Sequence, residues 1–173
     1  MGTRSLTVFL DAEDGGAPRE LAVLYRQFDG YPSGHGRELA RTLVTVLGNG
    51  QVRPRPLVNG LGQNKLEVFN GMEDLAVQVI AELKAEQQRW DTTKRAMRKA
   101  GVRQPGNFYL MPAGTRDAGE EYIYFVSAPE RGRVGVEDPQ CEPQVRVTTS
   151  DPDEELFSGP ATAFYKWTKK QKL

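Results

Sequence analysis

The sequence predicts an α+β fold in a single domain: one antiparallel sheet of two hairpins, with room for an extra strand, packed by two main helices. Three observations carry this expectation. Segments dense in β-formers open the chain and return after residue 107, apolar positions at helical period fill the middle, and no regular strand–helix alternation marks a doubly wound sheet. The length, 173 residues, suits one hydrophobic core. Residues 1–128 hold most of the patterning, and 129–173 read as a C-terminal extension.

The elements follow in order. Ser5, Thr7 and Phe9 alternate with Leu6, Val8 and Leu10, and residues 21–25 form an unbroken apolar run. The polar, glycine-containing link between them makes a hairpin with a long tip, its strands at 5–11 and 20–28. Leu39, Leu43, Val46 and Leu47 keep the spacing of one buried helical face, closed by Gly48-Asn49-Gly50. A first helix is expected over 35–47, with Ser33 as its N-cap. Residues 49–68, containing Pro54, Pro56 and Asn59-Gly60-Leu61-Gly62, read as a long loop. Asn70 and Glu73 have the spacing of a capping box ahead of Met72, Ala76, Val79, Ile80 and Leu83, which predicts a second helix over 72–88. The polar residues that follow, up to Gly101 and Pro105, read as a solvated extension or a separate helix. Residues 108–111 and 120–127 flank the loop 112–119 and are expected to form the second hairpin. A further strand at Gln144–Thr149 and a short helix around Phe164-Tyr165-Lys166-Trp167 complete the chain.

Lys plus Arg and Asp plus Glu number 23 each, so a charged partner must be met by a local patch. No apolar run approaches the roughly 20 residues of a membrane span. The opening residues lack the pattern of a signal peptide, so a cytoplasmic protein without membrane contact is expected. Met1-Gly2 opens like a myristoylation signal, but Leu6 stands where that signal needs Ser or Thr. One cysteine, Cys141, and one histidine, His35, allow neither an internal disulfide nor a zinc site of soft ligands, and no metal or cofactor is expected. Asp11, Glu13 and Asp14 lack calcium-loop spacing and read as a solvated turn. The basic groups at 94–103 and 166–172 lack interleaved aromatics, so nucleic acid is not an expected partner, while a homo-oligomer stays open.

The segment from Tyr25 to Gly36 carries Arg26, Gln27, Asp29, Tyr31, Ser33 and His35 where a strand ends and a helix begins. Free N–H groups at a helix start attract anions, and Gly34 and Gly36 would let a ligand approach the main chain. The plain alternative is a turn at residues 29–32, a capping serine and a surface histidine. Arg37-Glu38 follows the last glycine, so this is no P-loop. Gly-Thr-Arg recurs at 2–4 and 114–116, and Arg26 and Arg116 are expected to face a common anion pocket with the start of the first helix, Arg4 being a further candidate. Tyr25, Tyr31, Tyr109, Tyr122 and Tyr124 lie in or beside the same strands, where each is either a half-buried sheet tyrosine or a surface for a base to stack on.

Met1-Gly-Thr-Arg-Ser5, the run from Tyr25 to Gly36, Asn59-Gly60, Asn70-Gly-Met72, Phe108-Tyr-Leu and Gly114-Thr-Arg-Asp-Ala-Gly-Glu-Glu-Tyr122 together resemble a family of small uncharacterised proteins of bacteria and their phages. The likeness covers most of residues 1–126. It implies polar positions to test and no mechanism. Small phage-encoded proteins include sequestering proteins that bind host nucleotide signals, and the resemblance implies an anti-defence role of that kind.

The function expected is therefore non-enzymatic binding of a small phosphorylated ligand, in the first place a nucleotide or nucleotide-derived signal. Its ligand-binding residues would be Arg4, Arg26, Gln27, Asp29, Tyr31, Ser33, His35, Arg116 and Asp117. A protein-binding or inhibitory role is the alternative. A phosphoesterase-type hydrolase with His35 as acid or base and Asp29 and Arg26 in support is the second.

Overall fold

The computed structural model describes residues 2–11, 17–58, 68–93, 107–128, 141–151 and 153–172, with only the backbone for 87–93, and in it the opening hairpin becomes the middle of a larger sheet. Strand β1 (Ser5–Asp11) pairs antiparallel with β2 (Arg19–Arg26), Ser5 opposite Arg26 and Asp11 opposite Arg19. The hairpin is the expected one; its tip, 12–16, lies outside the described residues. β2 stops at Arg26, two residues early, because the next two amides leave the ladder: those of Gln27 and Phe28 donate to the main-chain and side-chain oxygens of Asn107 at 3.0 and 2.8 Å.

The expected second hairpin does not form, and the sheet is mixed, not wholly antiparallel. Strand β7 (Phe108–Met111) runs antiparallel along the free side of β2, whereas β8 (Tyr122–Ser127) runs parallel to β1 with Tyr122 opposite Ser5. The two strands therefore sit on opposite sides of the central hairpin. The connection 112–121 is long enough for this: ten residues can reach roughly 33 Å, and three strand spacings are about 14 Å. Both hydrogen-bonding sides of the β1–β2 hairpin are thereby filled. Beyond β8 come β9 (Gln144–Thr149) and β10 (Glu155–Pro160), giving the order β10-β9-β8-β1-β2-β7.

After β2 the chain forms a π-helical turn (Pro32–Gly36) and runs into α1 (Arg37–Leu43). The helix expected over 35–47 thus ends at Leu43. Val44, Thr45 and Val46 are β-branched, and they form β3 (Val44–Val46), which pairs with β4 (Val52–Pro54). Inside the stretch expected to be loop, β5 (Leu57–Val58) pairs parallel with β6 (Phe69–Asn70) just beyond it, and 59–67 lie outside the described residues. Helix α2 (Gly71–Thr93) begins one residue before the expected start. Its cap differs: the Asn70 amide donates to the Asp74 carboxylate at 2.7 Å, and Glu73 instead meets Arg19 at 3.1 Å. The basic stretch at 94–103 lies outside the described residues.

Helices cover one face of the sheet. There Phe9, Leu24, Tyr124 and Val147 meet Leu39, Leu43, Leu75 and Val79 in the main core. Arg55 ties α1 to α2, donating to the Thr42 carbonyl at 2.8 Å, Glu82 at 2.6 Å and Gln78 at 2.7 Å, with its guanidinium 4.2 Å from the Phe69 ring. On the opposite face Leu6, Val8, Val23 and Ile123 form a second cluster, rimmed by Leu10, Tyr25, Met111 and Phe125. The connection 112–121 reaches this face, with the Arg116 guanidinium over the Phe125 ring.

The C-terminal part is no appendage to the core. Helix α3 (Ala161–Thr168) follows β10 directly, and its Ala161 and Phe164 are fully buried, Phe164 packing on Tyr124, Phe157 and Trp167. Replacing Phe164 with alanine is expected to lower stability by about 3–5 kcal/mol, the cost of emptying an aromatic site in a packed core. Urea unfolding should remain a single transition with its midpoint lowered; a loss below about 1 kcal/mol would mean that this segment is indeed peripheral.

Candidate functional site

Arg26 and His35 do come together, but in the interior. Arg26 is the last residue of β2, on the helix-facing side, and is 5 % exposed; His35 in the π-helical turn is 0 % exposed. The Arg26 Nε donates to the Phe28 carbonyl at 2.6 Å, Nη1 donates to His35 Nδ1 at 3.3 Å and to Glu38, and Nη2 lies 3.4 Å from the other Glu38 oxygen. The guanidinium also sits 5.0 Å from the Phe108 ring centre. Each edge of the cation is thus occupied by the protein itself.

His35 is equally committed. Its Nε2 is 2.6 Å from the Thr7 hydroxyl, and its ring packs on Tyr124 edge-on at 5.1 Å and on Phe108 at 5.7 Å. Because an arginine only donates, Nδ1 must accept, which assigns the hydrogen to Nε2 and leaves the ring neutral. Burial holds the imidazole pKa well below its ordinary value, and the Arg26 charge pushes it further the same way. Burial likewise raises the Tyr124 phenol, whose hydroxyl donates to the Gly30 carbonyl at 2.8 Å.

The N–H groups expected to be free at the helix start are largely used within the turn, and the reason is local. Pro32 has no N–H, and the amides of Gly34, His35 and Gly36 donate inward, to Tyr31, Asp29 and Tyr31 carbonyls at 3.0, 2.8 and 3.4 Å. Ser33 caps nothing: the turn's N-cap residue is Tyr31, and the buried Ser33 hydroxyl has no hydrogen-bond partner. Gly30 is required for close approach, since a Cβ there would stand 2.6 Å from the Arg4 carbonyl carbon. Asp29 adopts φ 58° and accepts a long hydrogen bond from the Tyr31 hydroxyl at 3.4 Å. Burial, then Asp29, raises the Tyr31 pKa. Gln27 accepts from the Tyr109 hydroxyl at 3.4 Å.

The three arginines do not converge. Arg116 lies on the opposite sheet face from Arg26, donating to Glu20 at 2.5 Å and to the Thr115 carbonyl at 2.7 Å, 5.7 Å from the Phe125 ring centre. Burial would raise the Glu20 carboxyl, but its bonds to Arg116 and to the Gly114 amide, with the Arg116 charge, bring it below its usual value. Arg4 extends beside Gly119, whose φ of 76° and missing Cβ make room for it: a Cβ would lie 2.6 Å from Arg4 Nη1. Asp117, also at positive φ, places its amide 3.2 Å from the Glu120 carboxylate.

Several participants were not singled out in the sequence. Glu38 stands one turn after His35, a spacing that puts both on one side of the helix and could have been noticed. Thr7 carried no signal beyond strand alternation, and Tyr124, named as a stacking candidate, is instead fully buried against His35. Arg146 on β9 is exposed, its guanidinium 4.2 Å from the same Phe125 ring that Arg116 approaches, and it forms no ion pair among the described residues. Among the described residues no group of three or more His, Cys, Asp or Glu side chains is arranged to hold a metal ion, and no helix is long and apolar enough to cross a membrane.

No family model, no curated protein and no solved structure matches the chain.

Arg26→Ala would leave Glu38 facing a void in a largely buried setting and is expected to cost about 3–5 kcal/mol, reversing the sequence-based expectation of a ligand contact with little structural weight. Arg26→Lys should recover only a small part, because an ammonium cannot fork to Glu38, the Phe28 carbonyl and His35 together. Thermal or urea unfolding of the two variants checks this; near-native stability in Arg26→Ala would show that the network is dispensable.

Proposed function

We propose that the protein is a non-catalytic binding protein for a small phosphorylated ligand of the nucleotide class, and that the ligand docks on the sheet face remote from the helices. The observation that carries this reading is the Phe125 ring bordered by two guanidiniums, Arg146 at 4.2 Å and Arg116 at 5.7 Å, with Arg146 exposed and unpaired among the described residues. A guanidinium resting on an aromatic ring is held in place while its N–H edge stays open to fork a phosphate. Tyr25 and Tyr109, 6.0 Å apart between ring centres, lie on the same face for a base to stack on.

The magnitudes set what is needed. A charged hydrogen bond contributes about 1.5–3 kcal/mol, and micromolar affinity requires about 8. Arg146 alone is insufficient; stacking, at about 1–3 kcal/mol per base, and a share of Arg116 must add to it. A phage-type sequestering, anti-defence role belongs to this reading and rests on the family resemblance, and a cytoplasmic location is the expectation that goes with it. The hydrolase alternative loses support, because His35 is fully enclosed with both ring nitrogens engaged.

Calorimetric titration with inorganic phosphate and with nucleoside mono-, di- and triphosphates tests the proposal. Saturable binding is expected, weakened about 10- to 100-fold in Arg146→Ala, which should fold normally because the side chain is exposed. Absence of binding to every compound, or full affinity in Arg146→Ala, would end it.

A second reading, protein binding, is favoured by one specific feature. Phe28, Tyr109 and Leu110, at 50, 41 and 70 % exposure, lie in or next to the edge strand β7. Apolar side chains on a sheet edge favour contact with another chain. Leu110→Glu separates the readings: it should abolish any association seen by sedimentation and leave phosphate binding unchanged.

A further inference from the structure

The chain has a single histidine, and it is placed where only its neutral form fits. The groups that face it from each packed element are known. From β1 comes the Thr7 hydroxyl, which takes the Nε2 hydrogen at 2.6 Å; from β2 comes the Arg26 guanidinium, donating into Nδ1 at 3.3 Å. From α1 comes Glu38, whose carboxylate is used by Arg26 and makes no bond to the ring. From β8 comes Tyr124, whose hydroxyl is committed to the Gly30 carbonyl, and from β7 the Phe108 ring. Tyr31, just before the turn, is hydrogen-bonded to Asp29, and α3 faces the turn with Thr168 beside Gly36. A second ring proton would have to sit on Nδ1, donor against donor and cation against cation at 3.3 Å, with no carboxylate in contact to absorb it.

We infer that the contact of His35 with Arg26 and Thr7 is an acid-released latch, and that proton uptake detaches the π-helical turn at 32–36 from the sheet before the rest of the molecule unfolds. The inference goes beyond the ligand reading and does not depend on it. Within the turn Pro32, His35 and Gly36 are buried, and of these His35 alone carries a polar side chain to the sheet. Tyr31, Ser33 and Gly34 are half-exposed, while α1 beyond it is anchored separately through fully buried Leu39 and Leu43 and through Arg55 on the Thr42 carbonyl. Release would bare the Arg26–Glu38 pair and the aromatic rings behind it.

The sign follows from the proton count. In the closed turn the ring is held neutral, with its pKa below the value of about 6.5 that it regains once released. The closed state is therefore fully favoured above about pH 6.5 and loses ground as pH falls below it, by one proton and thus about tenfold in the opening constant per pH unit. No other side chain of this composition ordinarily titrates between pH 5 and 6.5, since carboxylates do so lower and the chain's one cysteine higher.

Amide exchange of the native protein between pH 7.5 and 5, with intrinsic exchange rates divided out, tests the latch. The amides of Gly34, His35 and Gly36 are all hydrogen-bonded and so report opening. Their opening constants are expected to rise about tenfold per unit below pH 6.5, while those of Val8 and Tyr124 in the sheet change little over the same range. In His35→Gln the rise should vanish. A flat profile for the turn amides in the native protein overturns the inference, as does an equal rise in His35→Gln. Turn and sheet amides rising together would equally overturn it, because the proton would then be unfolding the whole chain.

Discussion

A buried arginine governs the arrangement around it. Arg26 ends its strand on the covered face of the sheet at 5 % exposure, where an unpaired cation would cost several kcal/mol. That cost is offset only if all its donors are met, and the partners come from different elements: the Phe28 carbonyl just past β2, His35 in the π-helical turn and Glu38 in α1, with the Phe108 ring of β7 alongside. Satisfying one side chain therefore sets how the chain leaves β2, how α1 starts and where β7 lies. The neutral, Nε2-protonated state of His35, and through it the contact with Thr7 on β1, follow from the same requirement.

The second organising constraint is the way the sheet is filled from the middle. The β1–β2 hairpin has β7 on one side and β8 on the other, so the connection 112–121 must pass across a sheet face instead of turning back tightly. Its residues are secured at both ends of that passage. The Gly114 amide and the Arg116 guanidinium bind Glu20 at the start, and the Glu121 main-chain amide donates to the Arg4 carbonyl at 3.0 Å at the finish. One consequence is chemical: Arg26 faces the helices while Arg116 faces away, so side chains that look equivalent in sequence serve different surroundings.

This separation divides the molecule into a face where polar groups are spent on the fold and a face where at least one cation is not. The motif from Tyr25 to Gly36 has the composition of a ligand site, yet its amides, guanidinium and imidazole are matched internally. The opposite face, with Arg146 and Arg116 about Phe125, leaves Arg146 open among the described residues. Chemical richness in a short segment thus measures how much the fold must satisfy there as readily as how much it offers to a ligand.

What the sequence determined by itself is whatever depends on neighbours along the chain. Alternation placed β1, an unbroken apolar run placed β2, the helical stripe placed α2, and the α+β class followed from their order, since these patterns reflect how a local element is buried. Boundaries moved where a local rule met a competing one, as at Val44, where β-branched residues left the helix for a strand. What tertiary structure alone decided is which strands are neighbours and where polar side chains end. The pairing of β8 with β1, the burial of His35, and the placement of Arg26 and Arg116 on opposite faces all depend on residues brought together from distant positions. An arginine's residue type is the same whether Glu38 closes on it or solvent does, and only the packed chain supplies the difference.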